Sequence, residues 1–211
     1  MKAVDSPALA GPQSGRDSAP IGTGRAVFVD KDGTLVENVP YNVDPARLRF
    51  TPSALVGLRA LADAGYALIV VTNQPGLATG RFTRREFAAL EAALCRRVRE
   101  ESGVEIAALY CCPHAPSPGG TIGCLCRKPA PGLLRQAARA HRLDLAQCWM
   151  IGDILDDVEA GHRAGCRAIL LDVGNETEWK LSPIRSPEAR CADLAEAARF
   201  ILSREPIEVA S

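Results

Sequence analysis

The chain has 211 residues, of which 47% are hydrophobic, and its 25 basic and 25 acidic side chains give a formal net charge of zero. This length fits one domain with a substantial core, and the balanced charge predicts neither a nucleic-acid nor a membrane partner. No apolar run reaches about 18 residues, so no transmembrane helix is predicted. Eight cysteines without an export signal favour a reducing, cytoplasmic setting over a disulfide scaffold.

In chain order, the first segment, 1–24, is rich in Pro, Gly, Ser and Ala and is predicted to be a mobile tail. Residues 25–203 alternate short apolar runs with helical patterns, which predicts a single domain, and 204–211 is predicted to be a second tail. Buried strands are predicted at 26–29, 67–71, 106–110, 148–151 and 168–171.

Helix-start residues lie between these strands. Thr83 and Glu86, three positions apart, form a capping box for one helix. The other helices are predicted to begin near Thr51, Pro131, Asp156 and Ser186. The alternation predicts an α/β fold, a parallel sheet with helices on both faces, whose ligand lies beyond the carboxyl ends of the strands. The segment 35–50 is predicted to form a flap over that edge.

Two carboxylates, Asp30 and Asp32, follow the first predicted strand in the sequence DKDGT. Both can face a crevice if the backbone turns there, and Gly33 supplies the conformational freedom for that turn. Phosphoryl transfer requires a nucleophile, an acid for the leaving group and a cation for the phosphate oxygens. A carboxylate pair can supply the first two and help to hold the third. A solvated surface turn is the alternative interpretation of this motif alone.

Three further polar motifs follow the later strands. The sequence TNQ at 72–74 offers a hydroxyl and two amides for a phosphoryl group, although such residues also form ordinary turns. Arg127 and Lys128 form either a solvated basic pair or a phosphate clamp. Asp153 lies at a strand-to-helix turn, where it suits a metal ion better than a helix cap, and Asp157 follows within the same acidic cluster.

Four potential metal ligands frame a loop rich in Gly and Pro: Cys112, His114, Cys124 and Cys126. Three thiolates and an imidazole form a closed tetrahedral set for zinc, and a closed set is structural rather than catalytic. A loop with little apolar content can be ordered by such an ion. The predicted zinc loop spans 111–127, and Cys111 is expected to point to the other side of its strand. Four unrelated side chains are the alternative.

These motifs, each at a strand end and in this order, resemble those of the haloacid-dehalogenase (HAD) superfamily of aspartate-nucleophile phosphatases. The resemblance implies that Asp30 attacks phosphorus, and that Asp32 protonates the leaving oxygen and then activates the hydrolytic water. It implies that Asp30, the backbone carbonyl of Asp32 and Asp153 hold Mg²⁺. The residues that would stabilise the phosphoryl group or orient the site are Thr72, Lys128 and Asp157.

The zinc loop followed by CRKP narrows the resemblance to the D-glycero-D-manno-heptose 1,7-bisphosphate 7-phosphatases, and more distantly to the histidinol-phosphate phosphatases. TNQPGLA at 72–78 closely matches their TNQSGIA segment. The resemblance implies a minimal cap and a small sugar bisphosphate that loses its 7-phosphate, in nucleotide-heptose biosynthesis for cell-surface polysaccharide. The family's substrate contacts fall on Asn38, Tyr41, Thr72, Asn73, Gln74, Arg127 and Lys128.

Two departures and several alternatives accompany this resemblance. Ile154 stands where the heptose enzymes commonly have Lys, and the loop between the zinc pairs is shorter than theirs. A histidinol-phosphate phosphatase would favour an acidic recognition group, for which Glu37 is available. A DNA 3′-phosphatase is disfavoured, because the sequence shows no basic stripe with interleaved aromatic residues. A catalytically inactive binding protein is the alternative of a different class. The segment 174–179 is expected to pack against the C-terminal helix rather than edge the pocket. The oligomeric state is left open, and a monomer is compatible with the sequence.

Overall fold

Short apolar runs form a six-stranded sheet within residues 24–116 and 123–205, the part of the chain that the computed structural model describes. The strands are β1 (Ala26–Val29), β2 (Ala67–Asn73), β3 (Ala108–Cys112), β4 (Trp149–Gly152), β5 (Arg167–Leu171) and β6 (Ala189–Cys191). Their order is β3-β2-β1-β4-β5-β6, and every neighbouring pair is parallel. Of the predicted tails, 1–24 and 204–211, the described residues include only Gly24, Arg204 and Glu205, and Glu205 is held against the domain by an ion pair with Arg25.

The helices cover both faces of the sheet and are α1 (Ala54–Asp63), α2 (Arg84–Ser102), α3 (Gly132–His141), α4 (Leu155–Ala164) and α5 (Leu194–Leu202). On one face, α1, α2 and α5 enclose a core that includes Leu58, Leu94 and Ile201. On the other, α3 and α4 enclose Leu134 and Val158. A parallel sheet covered on both faces confirms the predicted α/β fold. None of these helices is long and apolar enough to cross a membrane.

The last helix does not begin where the sequence signals were expected to place it. The predicted start at Ser186 is wrong, because the chain there leads into strand β6 instead. Helix α5 begins at Leu194, where the carboxylate of Asp193 accepts a hydrogen bond from the backbone N–H of Glu196 at 2.8 Å. Asp193 therefore caps α5 in place of the predicted residue.

The segment 35–50 begins directly after the DKDGT motif and returns to the body of the protein. Val36 pairs with Phe50 in an isolated antiparallel bridge. The Arg97 guanidinium of α2 stacks over the Phe50 ring at 5.0 Å, a cation–π contact that holds the end of the flap. Both ends of the flap are thus fixed, and its outer part, including Tyr41, is exposed.

Candidate active site

The carboxyl ends of β1 and β4, which are neighbours in the sheet, bring three aspartates together. Asp30 follows β1, Asp153 follows β4, and Asp157 comes from the first turn of α4. One carboxylate oxygen from each lies within 4.8 Å of the others, and all three side chains are buried. The structure therefore unites residues that are more than 100 positions apart in the sequence.

Lys128 supplies the positive charge of this cluster. Its buried ammonium forms ion pairs with Asp30 and, at 2.7 Å, with Asp157, and it donates a hydrogen bond to the carbonyl of Val71 at 3.1 Å. Burial lowers the pKa of Lys128, but the two carboxylates outweigh burial and raise this pKa above its ordinary value. Lys128 is therefore a permanent cation beside Asp30.

Among the described residues, Lys128 is the one cation paired with this group of three carboxylates, so negative charge exceeds positive charge when all three are ionised. Burial raises the pKa of Asp30 to about 7 and that of Asp153 to about 6, even though Lys128 acts in the opposite direction. A divalent cation would remove this imbalance, because it favours the ionised form of each carboxylate. Oxygen ligands of this kind suit Mg²⁺.

Asp32 has a different environment from the buried cluster. Its carboxylate forms an ion pair with Lys31 and accepts a hydrogen bond from Nε2 of Gln74 at 2.7 Å. The side chain is 28% exposed. A partly exposed carboxylate beside a buried one can exchange protons with substrate and water, which is what general acid–base chemistry requires.

The side chains of the TNQ segment are bound to other parts of the protein. Nε2 of Gln74 also donates to the hydroxyl of Thr72 at 2.9 Å. The amide of Asn73 donates to the carbonyl of Lys128 and accepts from its N–H, both at 3.1 Å. Gln74 thus holds Asp32 and Thr72 in place, and Asn73 fastens Lys128 to the end of β2.

The remaining predicted substrate contacts lie near the surface. Tyr41 is half exposed, and the Arg81 guanidinium lies 5.3 Å from its ring. Asn38 is exposed, and its side chain has no hydrogen bond within the described part of the chain. Arg127 is half-buried and donates from Nη1 to the carbonyl of His114 at 3.3 Å. No carboxylate among residues 24–116 and 123–205 forms an ion pair with Arg127.

The four predicted zinc ligands, Cys112, His114, Cys124 and Cys126, come together at the end of β3. Their sulfur and Nδ1 atoms are separated by 3.2 to 3.7 Å. A tetrahedral ion with Zn–S bonds of about 2.3 Å would place its sulfur ligands about 3.7 Å apart, so the set fits zinc. As predicted, Cys111 packs in the core on the opposite face of the sheet from Cys112.

Sequence reasoning missed Asn175 and Glu176, which lie beyond β5. Nδ2 of Asn175 donates to Oδ2 of Asp153 at 2.8 Å, and Glu176 accepts from the backbone N–H of Leu155 at 2.7 Å. The expectation that 174–179 only packs against the C-terminal helix is therefore wrong for these two residues. The available signal was their position after a strand at the carboxyl edge of the sheet.

A HAD-hydrolase-like family model matches residues 125–197. With the sheet order and the aspartate cluster, this match defines the class of the protein as a HAD-like hydrolase. The chain is 34% identical to a D-glycero-alpha-D-manno-heptose-1,7-bisphosphate 7-phosphatase of Photorhabdus laumondii, over 72% of this chain and 85% of that protein. It is 37% identical to the D-glycero-beta-D-manno-heptose-1,7-bisphosphate 7-phosphatase of Haemophilus ducreyi, over 70% of this chain and 82% of the relative.

A solved structure of a related enzyme supports the same class. The D,D-heptose 1,7-bisphosphate phosphatase of B. bronchiseptica, in complex with magnesium and phosphate, superposes with a TM-score of 0.75 at 31% identity. The superposition covers 86% of this chain and 99% of that one. The chain belongs to this family of HAD phosphatases.

Proposed function

We propose that the protein removes the 7-phosphate of D-glycero-D-manno-heptose 1,7-bisphosphate, with Asp30 as the nucleophile and Mg²⁺ as the cofactor. The observation that carries the proposal is the buried cluster of Asp30, Asp153 and Lys128 at one sheet edge, in a relative of enzymes with that name. The magnesium and phosphate bound to the B. bronchiseptica enzyme support the cofactor. The proposed compartment is the cytoplasm, where the eight free cysteines stay reduced.

In the proposed reaction, a carboxylate oxygen of Asp30 attacks phosphorus, and the bond to the leaving oxygen breaks. Asp32 gives its proton to that oxygen, then takes a proton from the water that hydrolyses the aspartyl-phosphate. The Thr72 hydroxyl and the Lys128 ammonium stabilise the charge on the transferring phosphoryl group. The order of burial supports these roles, because Asp30 is shielded from water and Asp32 is in contact with it.

The same carboxylates would hold the metal ion. Asp30, Asp153 and the backbone carbonyl of Asp32 are the proposed ligands, and bound Mg²⁺ would neutralise the phosphate oxygens. Asp157 has another task, because its two oxygens contact Lys128 and, at 3.3 Å, the backbone N–H of Ile154. It is therefore proposed to orient Lys128 and the start of α4.

The second phosphate of the substrate is assigned to Arg127. The transferring phosphate is already served by Lys128, Thr72 and the metal ion, whereas the Arg127 guanidinium donates to the carbonyl of His114 and to no carboxylate of the described residues. Its planar fork can bind a phosphate through two hydrogen bonds. Asn38 and Tyr41 on the flap are the proposed wall of the sugar site, and the zinc set of Cys112, His114, Cys124 and Cys126 is proposed to fix the loop that carries Arg127.

The proposal is tested by measuring phosphate release from both anomers of the heptose bisphosphate, from histidinol phosphate and from an aryl phosphate, with and without Mg²⁺. Mg²⁺-dependent turnover, fastest with a heptose bisphosphate, is the expected result. Asp30→Asn should abolish turnover of every substrate, because an amide is a poor nucleophile. Activity within about tenfold of the unsubstituted protein, a barrier change of about 1.4 kcal/mol, would contradict the covalent mechanism.

A separate variant tests the role that Arg127 is given in binding the second phosphate. Arg127→Ala should raise KM and lower kcat/KM for the bisphosphate much more than for the aryl phosphate, which has no second anion. An equal effect on both substrates would remove the role given to Arg127. Faster hydrolysis of histidinol phosphate than of any sugar bisphosphate would replace the proposed substrate.

A further inference from the structure

Two neighbouring residues connect the loop after β5 to the aspartate cluster. Residues 172–181 are exposed apart from Asn175 and Glu176, which are half-buried. Asn175 contacts Asp153 and Glu176 contacts the first residue of α4, Leu155. The loop therefore reaches the site at two points, one on a side chain and one on the backbone.

At the first point, the two oxygens of Asp153 each accept one hydrogen bond. The hydroxyl of Thr34 donates to Oδ1 at 3.0 Å, and the amide of Asn175 donates to Oδ2 at 2.8 Å. The contact is tight, because a Cβ atom on Gly33 would lie 2.2 Å from Oδ2 of Asp153 and 2.5 Å from Nδ2 of Asn175. The carboxylate is thus held at both oxygens and cannot rotate without breaking a bond.

At the second point, the start of α4 is held by side chains. Its first N–H groups have no partner inside the helix, and here Ile154 N–H donates to Asp157 and Leu155 N–H donates to Glu176. A carboxylate at this end is also favoured by the helix dipole. Because Asp153 immediately precedes this turn, fixing the turn also fixes the backbone of Asp153.

We propose that Asn175 and Glu176 are positioning residues for Asp153, so that the loop after β5 sets the affinity of the site for Mg²⁺. The inference rests on the proposed function, because it takes Asp153 as a metal ligand. Mg²⁺ requires near-ideal octahedral geometry, so a carboxylate free to rotate binds it less well. Loss of an outer hydrogen-bond partner of a metal ligand typically costs 10- to 100-fold in affinity or activity.

The test is the Kd for Mg²⁺ alone, measured by calorimetry, in the full-length protein, in three variants and in one control variant. Asn175→Ala should raise this Kd by about tenfold or more. Glu176→Ala should also raise it, whereas Glu176→Gln, which keeps an oxygen acceptor for Leu155 N–H, should restore most of the affinity. Turnover of an aryl phosphate by Asn175→Ala should recover as Mg²⁺ is increased, because the defect is in binding.

Thr177→Ala is the matched control, because Thr177 is an exposed neighbour without a side-chain hydrogen bond in the described residues. If Asn175→Ala only loosened the loop, its melting temperature without Mg²⁺ would fall while its Mg²⁺ Kd matched that of Thr177→Ala, and the inference would be overturned. If the unsubstituted protein bound no Mg²⁺ and hydrolysed no aryl phosphate, the proposed function would fail as well. Normal activity of the unsubstituted protein with an unaltered Kd in Asn175→Ala would overturn this inference alone.

Discussion

The side-chain amide of Asn73 joins two parts of the chain that are 55 residues apart, because both of its hydrogen bonds go to the backbone of Lys128. The family resemblance predicts a substrate contact for Asn73. The two hydrogen bonds to Lys128 give Asn73 a structural role, the placement of Lys128, that does not depend on which substrate is bound. Lys128 in turn stands against Asp30 and Asp157, so a displaced Lys128 would disturb the reaction with any phosphate ester.

Asn73→Ala should therefore lower kcat/KM by a similar factor for the heptose bisphosphate and for an aryl phosphate. Each lost hydrogen bond is worth about 1 kcal/mol, which corresponds to about ten- to thirtyfold for the pair. Parallel kinetics on the two substrates measure this, with Arg127→Ala as the contrasting, substrate-selective variant. A loss confined to the bisphosphate would show that Asn73 contacts the substrate instead.

Glu91, on helix α2, gives a prediction for stability as a function of pH. Burial raises the pKa of this half-buried carboxyl from 4.5 to about 7, while the charge of Lys31 acts in the opposite direction. The folded protein thus binds this proton more tightly than the unfolded chain does. The resulting stabilisation is complete below pH 4.5 and is lost as the pH rises through 7.

Glu91→Gln should remove this pH dependence, because the amide is always neutral. The gain in melting temperature over the unsubstituted protein should grow as the pH is raised from about 5 to about 8. Thermal unfolding at several pH values measures it. Glu100→Gln, at an exposed position on the same helix, is the matched control for the exchange of a carboxyl for an amide. A constant difference for Glu91→Gln at all pH values would contradict the assigned pKa.

Among the elements, α1 and α5 approach each other closely at Gly57. A Cβ atom at this position would lie 2.5 Å from the backbone carbonyl oxygen of Leu194. Helix propensity alone predicts that Gly57→Ala stabilises the protein by about 1 kcal/mol. The clash is with backbone atoms, which have little room to move. We therefore expect the destabilisation from overpacking to exceed the gain in helix propensity.

Gly57→Ala is expected to destabilise the protein by about 1 to 3 kcal/mol in urea unfolding. Val56→Ala supplies the comparison, because Val56 is the adjacent residue and is 65% exposed. That change should stay within about 0.5 kcal/mol. Equal stabilities for the two variants, or a more stable Gly57→Ala, would mean that α1 and α5 adjust their spacing freely.

The helices and strands also show which elements local sequence signals predict and which they miss. Strand β1 lies where its apolar run predicts it, and the Thr83 and Glu86 capping box is present. Strand β6 escaped prediction because it is three residues long and carries an exposed Arg190 in its centre. The true start of α5 had a signal of its own, since Asp193 and Glu196 have capping-box spacing.

In the whole molecule, the meeting of Asp30 and Asp153 could be predicted because parallel strands bring their carboxyl ends to one edge. The place of Lys128 beside them followed from the family resemblance. The partners of these residues could not be predicted in the same way. Asn175 lies in a loop whose path depends on tertiary contacts, and no motif marks it. The amide bonds of Asn73 require the zinc loop to return beside β2, which no local pattern specifies.

The zinc set, Arg127 and helix α3 form one continuous unit. The Arg127 N–H donates to Sγ of Cys124 at 3.3 Å, and Gly132 N–H donates to the carbonyl of Leu125 at 2.9 Å. Lys128 has four further supports outside this unit, from Val71, Asn73, Asp30 and Asp157. Removal of the ion should therefore displace Arg127 more than Lys128.

The purified protein is expected to contain one zinc ion per chain. Removal of this ion by a chelator should lower kcat/KM for the heptose bisphosphate more than for an aryl phosphate. Both values should recover when zinc is returned. Elemental analysis and parallel kinetics measure both effects. Cys111→Ser is the control, because Cys111 adjoins the zinc set in sequence but packs on the other face of the sheet; it should retain its zinc. Active protein without zinc would exclude the structural ion, and equal losses on the two substrates would separate Arg127 from it.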